Sequence, residues 1–433
     1  MKIARFFYLS LPLILIFAGC KKEKDTTKPV ITFSSPSENQ TFNVFDVVNV
    51  VASVSDETEL TEVNISLVDG ARNQKHTLLQ LGVSSNSLSV NEDYWLNNIH
   101  LESGFYDIQI AASDGENITK AYRRINIIAV PKVIERIFVG TYQSSASSQI
   151  YEIDSTFSSM FPFTTFNGDL SAMQASSYYQ QLNMMGRYNG SITGIKLEDN
   201  SVRFAYPAVT SVDPYFTGFM ADEQNMYVAK YNGEIKGYSN YGAQIYTAAA
   251  SAGYYPEEML HNAGYIFSEQ KYRTSSSRLL MTYLNTGAAL QQKTISQDVK
   301  IMLPRNDNEV FLFGNVAGQG VLQLYERAAN HIWSPYPYPL PAGELLSAVR
   351  LDEDNYLIGM SDGTIYQYNY VSSSITSLLP GYTAKKMLIE PLHNVLYVVE
   401  ENSVSTFSIP SFSPLQSVSS PAPVIDIAIL YNR

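Results

Sequence analysis

A recurring hairpin constrains this chain more than any other feature. Asn225–Ser239 (NMYVAKYNGEIKGYS) and Asn355–Asn369 (NYLIGMSDGTIYQYN) each read as an apolar strand, a two-residue turn ending in Gly233 or Gly363, and a strand alternating with tyrosine. With that turn as a register mark, related hairpins fall around Ser147, Gly190, Gly233, Ser276, Gly320, Gly363 and Asn402. The interval is about 43 residues, with a shorter last one, which suits four short antiparallel strands and their turns. A second register supports the first. Tight polar turns stand shortly before the marks at Asp222-Glu223-Gln224-Asn225, Asn306-Asp307-Asn308-Glu309, Asp352-Glu353-Asp354-Asn355 and Leu392-His393-Asn394. Each follows an apolar strand: Tyr215 to Met220, Val299 to Leu303, Ala348 to Leu351, and Met387 to Ile389.

The two ends of the repeat complete one another. Val424 to Tyr431 (VIDIAILY) looks like an inner strand with nothing after it, whereas Ile134 to Asp154 looks like a repeat that lacks its inner strand. Pairing the two removes both open hydrogen-bonding edges. Residues 134–433 are therefore expected to form a seven-bladed β-propeller closed by the C-terminal strand.

This region resembles the broad propeller superfamily of WD40-like and quinoprotein-like folds, over about two thirds of the chain. The sharper family marks are missing. Trp95 and Trp333 are followed by Leu96 and Ser334, so no Trp-Asp pair exists, and Ser361-Asp362-Gly363-Thr364 lacks the full sialidase-box spacing. The resemblance implies a fold without its usual chemistries.

A different all-β pattern precedes the repeat. Val48, Val50, Ala52 and Val54 share one strand face, as do Val63, Ile65 and Leu67, and Tyr106, Ile108, Ile110 and Ala112. Asp114-Gly115 supplies a turn, and Ala121 to Ile128 returns as the last strand. Residues 30–128 are expected to be an antiparallel sandwich. The run Tyr106 to Ile127 resembles the final hairpin of bacterial immunoglobulin-like and fibronectin-like modules, which next to a membrane anchor usually act as stalks. Asp56, Glu57, Asp114 and Glu116 sit at strand ends, where cadherin-like sandwiches collect calcium ligands, but acidic turn residues are common for turn reasons alone. Ala129-Val130-Pro131-Lys132 breaks the pattern and marks the domain boundary.

The N-terminus concerns processing. Lys2 and Arg5 precede the apolar stretch Phe6 to Phe17, which is too short for a spanning helix and ends at Gly19-Cys20. Phe17-Ala18-Gly19-Cys20 resembles a bacterial lipobox, with Phe17 in place of the usual leucine, and Cys20 is the only cysteine of the 433 residues. The resemblance implies a signal peptide over 1–19, lipidation of Cys20, a tether over 20–29, and an outer-membrane location on the cell surface or the periplasmic side. Lys21 to Pro29 is charged and free of apolar residues, as a solvated tether would be, and resembles the export tags of some surface lipoproteins. Asp25-Thr26-Thr27 and Asp154-Ser155-Thr156 resemble the acceptors of certain bacterial O-glycosylation systems.

The sequence excludes several function classes. A net charge of −12, with no basic block, argues against nucleic acid as a partner. One cysteine and five scattered histidines offer neither a disulfide framework nor a local zinc site. No G-x-S-x-G elbow and no phosphate-binding glycine loop occurs. No catalytic residue, metal or cofactor is therefore expected, although carboxylates could still converge from several repeats.

Tyrosine is over-represented, with 31 copies. Most alternate along strands and are expected to pack between sheets. A few fall in expected connections, where a ring and a hydroxyl suit sugar or protein contact. They are Tyr215, Tyr254, Tyr255, Tyr382, and Tyr336 and Tyr338 in a Pro-rich run; Tyr215, Tyr254, Tyr255 and Tyr382 are the candidates for the rim of one mouth. The polar turns would make the opposite face acidic. The expectation is a non-catalytic, membrane-anchored recognition module for glycan or protein. The alternatives are an enzyme acting on polysaccharide or peptide and an outer-membrane assembly scaffold.

Overall fold

The computed structural model describes residues 25–433 apart from Thr210, Ser211, Tyr336, Tyr338 and Ala342. The signal segment, Cys20, and the tyrosines Tyr336 and Tyr338 thus lie outside the described residues. Those residues form an all-β structure, and no helix among them is long and apolar enough to cross a membrane. The chain separates into two compact units, one ending at Pro131 and one spanning Lys132–Arg433.

The first unit pairs two sheets over one core. Val30–Ser35, Val47–Ser55 and Ser87–Trp95 make a three-stranded sheet. The other sheet runs Gln40–Asn43, Ile118–Ile128, Gly104–Ser113, Glu62–Val68 and Leu79–Leu81, its first pair parallel. The alternation read from the sequence explains the packing: Val48, Val50, Ala52 and Val54 from one sheet meet Val63, Ile65, Ile108 and Ile110 from the other in a single buried cluster. Tyr94 ties the sheets together, because its hydroxyl donates to the Thr77 carbonyl at 2.7 Å and accepts from the Leu67 amide at 3.1 Å.

The second unit contains seven four-stranded antiparallel sheets among its described residues, a propeller-like arrangement. The first strands of six sheets are Leu170–Ser176, Phe216–Ala221, Tyr254–Asn262, Asp298–Pro304, Leu345–Arg350 and Lys386–Glu390. In the remaining sheet the edge position belongs to Val424–Tyr431, which pairs antiparallel with Ile134–Ser144 across almost the whole length of the second unit. The hairpin at Gly233 is as read, with Asn225–Lys230 against Glu234–Ser239 and Gly233 at φ 96°, a conformation glycine adopts without Cβ strain. The mark at Gly320 needs correction. Gly320 lies inside the strand Gln319–Glu326, and the turn is made by Ala317 and Gly318, both at positive φ.

Seven apolar clusters fill the spaces between consecutive sheets. Phe138 and Ile150 meet Leu182 and Met184 between the first two sheets in chain order, Phe311 and Phe313 meet Tyr356 and Ile358 between the fifth and sixth, and Tyr397 and Val399 of the last sheet meet Val139 and Ile427 of the first. The series therefore returns to its start. Removing one of these buried side chains costs about 2–5 kcal/mol, so each sheet depends on both of its neighbours.

One irregularity recurs at the same level. Six of the seven edge strands slip register by one residue, at Leu170/Ala172, Phe216/Gly218, Pro256/Met259, Val299/Ile301, Leu345/Ser347 and Val424/Asp426. In the seventh, the Lys385 amide bonds the Val399 carbonyl at 2.8 Å while Lys386 is the residue paired with Val399. A bulge sets two residues against one and re-aims the side chain it frees.

Candidate functional site

The sequence placed four tyrosines at one rim, and the structure distributes them differently. Tyr215 does precede its strand, half-buried, with its amide bonded to the Arg187 carbonyl at 2.8 Å. Tyr254 and Tyr255 are not in a connection. They open the strand Tyr254–Asn262, where Tyr255 is 7% exposed and Tyr254 packs edge-on against Tyr272 at 4.9 Å. The cause is Pro256, which reads as a breaker but here sits in an edge strand, where a missing amide is tolerated. Tyr382 lies in a connection, yet its ring packs edge-on against Phe407 at 4.9 Å in the core between the last two sheets.

What forms around Tyr215 is a pocket of about 390 Å³ lined by Asp213, Pro214, Tyr215, Lys230, Tyr231, Asn232 and Arg273. Its residues come from the connection before one sheet and from the second turns of that sheet and the next. The Tyr231 amide bonds the Tyr215 carbonyl at 3.1 Å, and Arg273 Nη2 bonds the Tyr231 carbonyl at 3.0 Å. Lys230 Nζ lies 5.5 Å from the centre of the Tyr215 ring, and the Arg273 guanidinium carbon 5.6 Å from that of Tyr231. Tyr255 supports the pocket from behind, its ring 4.7 Å from Tyr231. Burial, and then Glu257, push the Tyr255 hydroxyl up to about 12, so it stays a donor. Sequence reasoning missed Tyr231, Lys230 and Arg273, although Tyr231 stands in the very turn used as a register mark.

A second cavity, of about 430 Å³, is bordered by the edge strands of all seven sheets. Carboxylates converge beside it. Glu257, Glu269 and Asp298 offer oxygens within 4.8 Å of one another, and Arg278 pairs with all three: Glu257 Oε2 at 3.0 Å, Asp298 Oδ1 at 2.8 Å, and Glu269. Glu269 is fully buried, and burial raises its carboxyl against the opposing pull of Arg278. The bulge sets Glu257 and Glu258 together opposite Glu269; Glu257 reaches Arg278, while Glu258 lines the cavity. Burial, then the charges of Glu269 and Glu257, push Glu258 up to about 8.

The remaining expected sites are simple to place. Asp56 and Asp114 come together with Asp25, with carboxylate oxygens within 4.8 Å of one another, and Asp114 is held below the usual range chiefly by the Asn117 amide of its own turn. Glu57 and Glu116 are exposed. Thr156 is exposed in a turn built on Asp154, whose carboxylate accepts from Ser158 and Ser159.

No protein-family model and no curated protein matches the chain. Among solved structures, a protein from Lactobacillus plantarum superposes with a TM-score of 0.52 at 14% identity, over 69% of this chain and 99% of that one. A computationally designed protein gives 0.48 at 9% identity over 66% and 85%, and apo AztD from Citrobacter koseri 0.46 at 10% over 68% and 98%. The likeness to the Lactobacillus protein is one of fold.

Proposed function

We propose that this chain is a membrane-anchored extracytoplasmic recognition protein. In this reading Cys20 carries the lipid, the first unit is an immunoglobulin-like stalk, and the second unit is a seven-bladed β-propeller, closed by Val424–Tyr431, that binds glycan. The observation that carries the reading is the pocket where the Tyr215 and Tyr231 rings stand among Lys230, Asn232 and Arg273. Tyrosine faces take the apolar C–H face of a pyranose, and neighbouring donors and acceptors take its hydroxyls. Lys230 is held by Glu234 at 3.1 Å, so Arg273 is the cation that would meet an acidic substituent on the sugar.

The test is an oligosaccharide array probed with the wild-type chain, Tyr231→Ala and Arg273→Ala. Wild type should bind at least one arrayed oligosaccharide, Tyr231→Ala should lose about tenfold or more of that affinity, and Arg273→Ala should lose preferentially the acidic ligands. Equal binding by all three proteins would remove the pocket from the account.

A further inference from the structure

The cavity bordered by the seven edge strands has a charge pattern that neither the fold nor glycan binding explains. Its lysines are all engaged: Lys300 with Asp298 at 2.9 Å, Lys385 with Glu401, and Lys386 with Asp426. Asp426 is engaged as well, accepting from Lys386, from the Met173 amide at 2.8 Å and from the Ile427 amide at 2.7 Å. Glu258 differs. It lines the cavity and, among the described residues, no hydrogen bond or ion pair reaches its carboxyl group.

The count of charges around Glu258 points the same way. Glu257 on its own strand, Glu269, Asp298, Asp426 and Glu401 supply five carboxylates, and Arg278, Lys300, Lys385, Lys386 and the exposed Arg187 beside the adjoining cavity supply five cations. Glu258, once ionised, is the surplus negative charge. The strands Leu170–Ser176, Phe216–Ala221 and Leu345–Arg350 bring only neutral side chains to the cavity. The apolar side chains of the wall that keep partial exposure are Phe219, Met220, Ile301, Leu346 and Ile425, whereas Met173, Met259, Met302 and Met387 are buried in the clusters between sheets. Partly exposed apolar side chains gain by covering an apolar body, and the Phe219 face attracts a cation.

We propose that this cavity is a binding site for an organic ammonium ion, with the nitrogen against the Glu258 carboxylate and the apolar body against Phe219, Met220, Ile301 and Leu346. A volume of about 430 Å³ admits a small amine, in the size range of ordinary ligand pockets. The site is separate from the tyrosine pocket and shares no lining residue with it.

The proposal fixes a proton balance. Glu258 holds a proton below about pH 8 because of burial and the nearby Glu269 and Glu257, and it must release that proton to pair with an ammonium ion. Binding therefore strengthens with rising pH while the amine itself stays charged, since only the ionised fraction of Glu258 is competent.

The experiment is calorimetric titration of the purified full chain with phenethylammonium, and with phenylacetate as a probe of similar body and opposite charge. Saturable binding of phenethylammonium, about tenfold or more tighter at about pH 8.5 than at about pH 6.5, with a heat that depends on buffer ionisation and a loss of at least tenfold in Glu258→Gln, is the expected result. Absent binding at millimolar phenethylammonium, equal binding of phenylacetate, or a pH-independent affinity would each overturn the proposal. The last two comparisons use wild type alone, so they stand even where the Glu258→Gln protein does not fold.

Discussion

Tyr431 donates its hydroxyl to Glu390 Oε1 at 2.9 Å, which bonds the last strand of the chain to the edge strand of the sheet before it. The same residue also reaches the other way, its amide bonding Ser177 Oγ at 3.0 Å and its carbonyl accepting from Gln180 Nε2 at 2.8 Å. Tyr431 thus joins its sheet to both neighbours. Glu390 is fully buried, and Tyr431→Phe would leave its carboxylate one donor short. The variant should lose about 1–3 kcal/mol of unfolding free energy in urea. Deleting 424–433 should abolish cooperative unfolding of the second unit, because both Ile134–Ser144 and the adjoining apolar clusters lose their cover.

Acid sensitivity should trace to the same carboxylate. Burial alone would raise Glu390, but the Leu392 and His393 amides, with Tyr431 and His393 side chains, outweigh it and hold the group below its usual value. Its stabilising contribution is therefore present above the ordinary carboxylate range and lost as pH falls through the lowered value. Denaturation curves of Glu390→Gln should show a shallower loss of stability below about pH 4.5 than wild type.

Glu258 and Glu269 carry the opposite sign. Both are raised, so the folded protein holds protons that the unfolded chain releases, and this stability is full in mild acid and lost as pH rises. Thermal unfolding of the wild type should weaken between about pH 5 and about pH 8, and Glu269→Gln should flatten that slope. An unchanged slope would show that Glu269 is ionised throughout.

Arg278 is one cation serving three carboxylates, and its side chain is 8% exposed. Arg278→Met should destabilise the second unit by about 3–5 kcal/mol, since it strands buried negative charge. Adding Glu269→Gln should recover part of that loss, as a double-mutant cycle in urea would measure.

Gly218 follows the bulge in Phe216–Ala221, and a Cβ there would run into the Glu257 carbonyl. Backbone cannot yield as a flexible side chain does. Gly218→Ala should therefore lower the melting temperature by several degrees and disturb the Glu257–Arg278 pair, detectable as a changed pH slope.

Much of this architecture was legible because strands write their period locally. Val48 to Val54, the hairpin at Gly233 and the unmatched strand Val424 to Tyr431 each announce themselves within ten or so residues. The sites were less legible, for a physical reason. A bulge is a relation between two strands, so nothing in Pro256-Glu257-Glu258-Met259 marks which glutamate meets Arg278 and which meets the cavity. Tyr255 illustrates the converse error: a Tyr-Tyr-Pro run looks like a connection, and only pairing with Lys271 reveals a strand. Tyr231 and Arg273 occupy turns of different sheets, and their meeting depends on how consecutive sheets are stacked.

The most direct measurement is retention of the array's strongest oligosaccharide, fluorescently labelled, by isolated cell envelopes. Envelopes from cells producing wild type should retain it. Tyr231→Ala should remain in the envelope fraction without retaining the sugar, and Cys20→Ala should leave that fraction altogether while binding sugar in solution. Retention by Tyr231→Ala envelopes equal to wild type, or Cys20→Ala protein still held in the envelope, would contradict the account of a lipid-anchored recognition propeller.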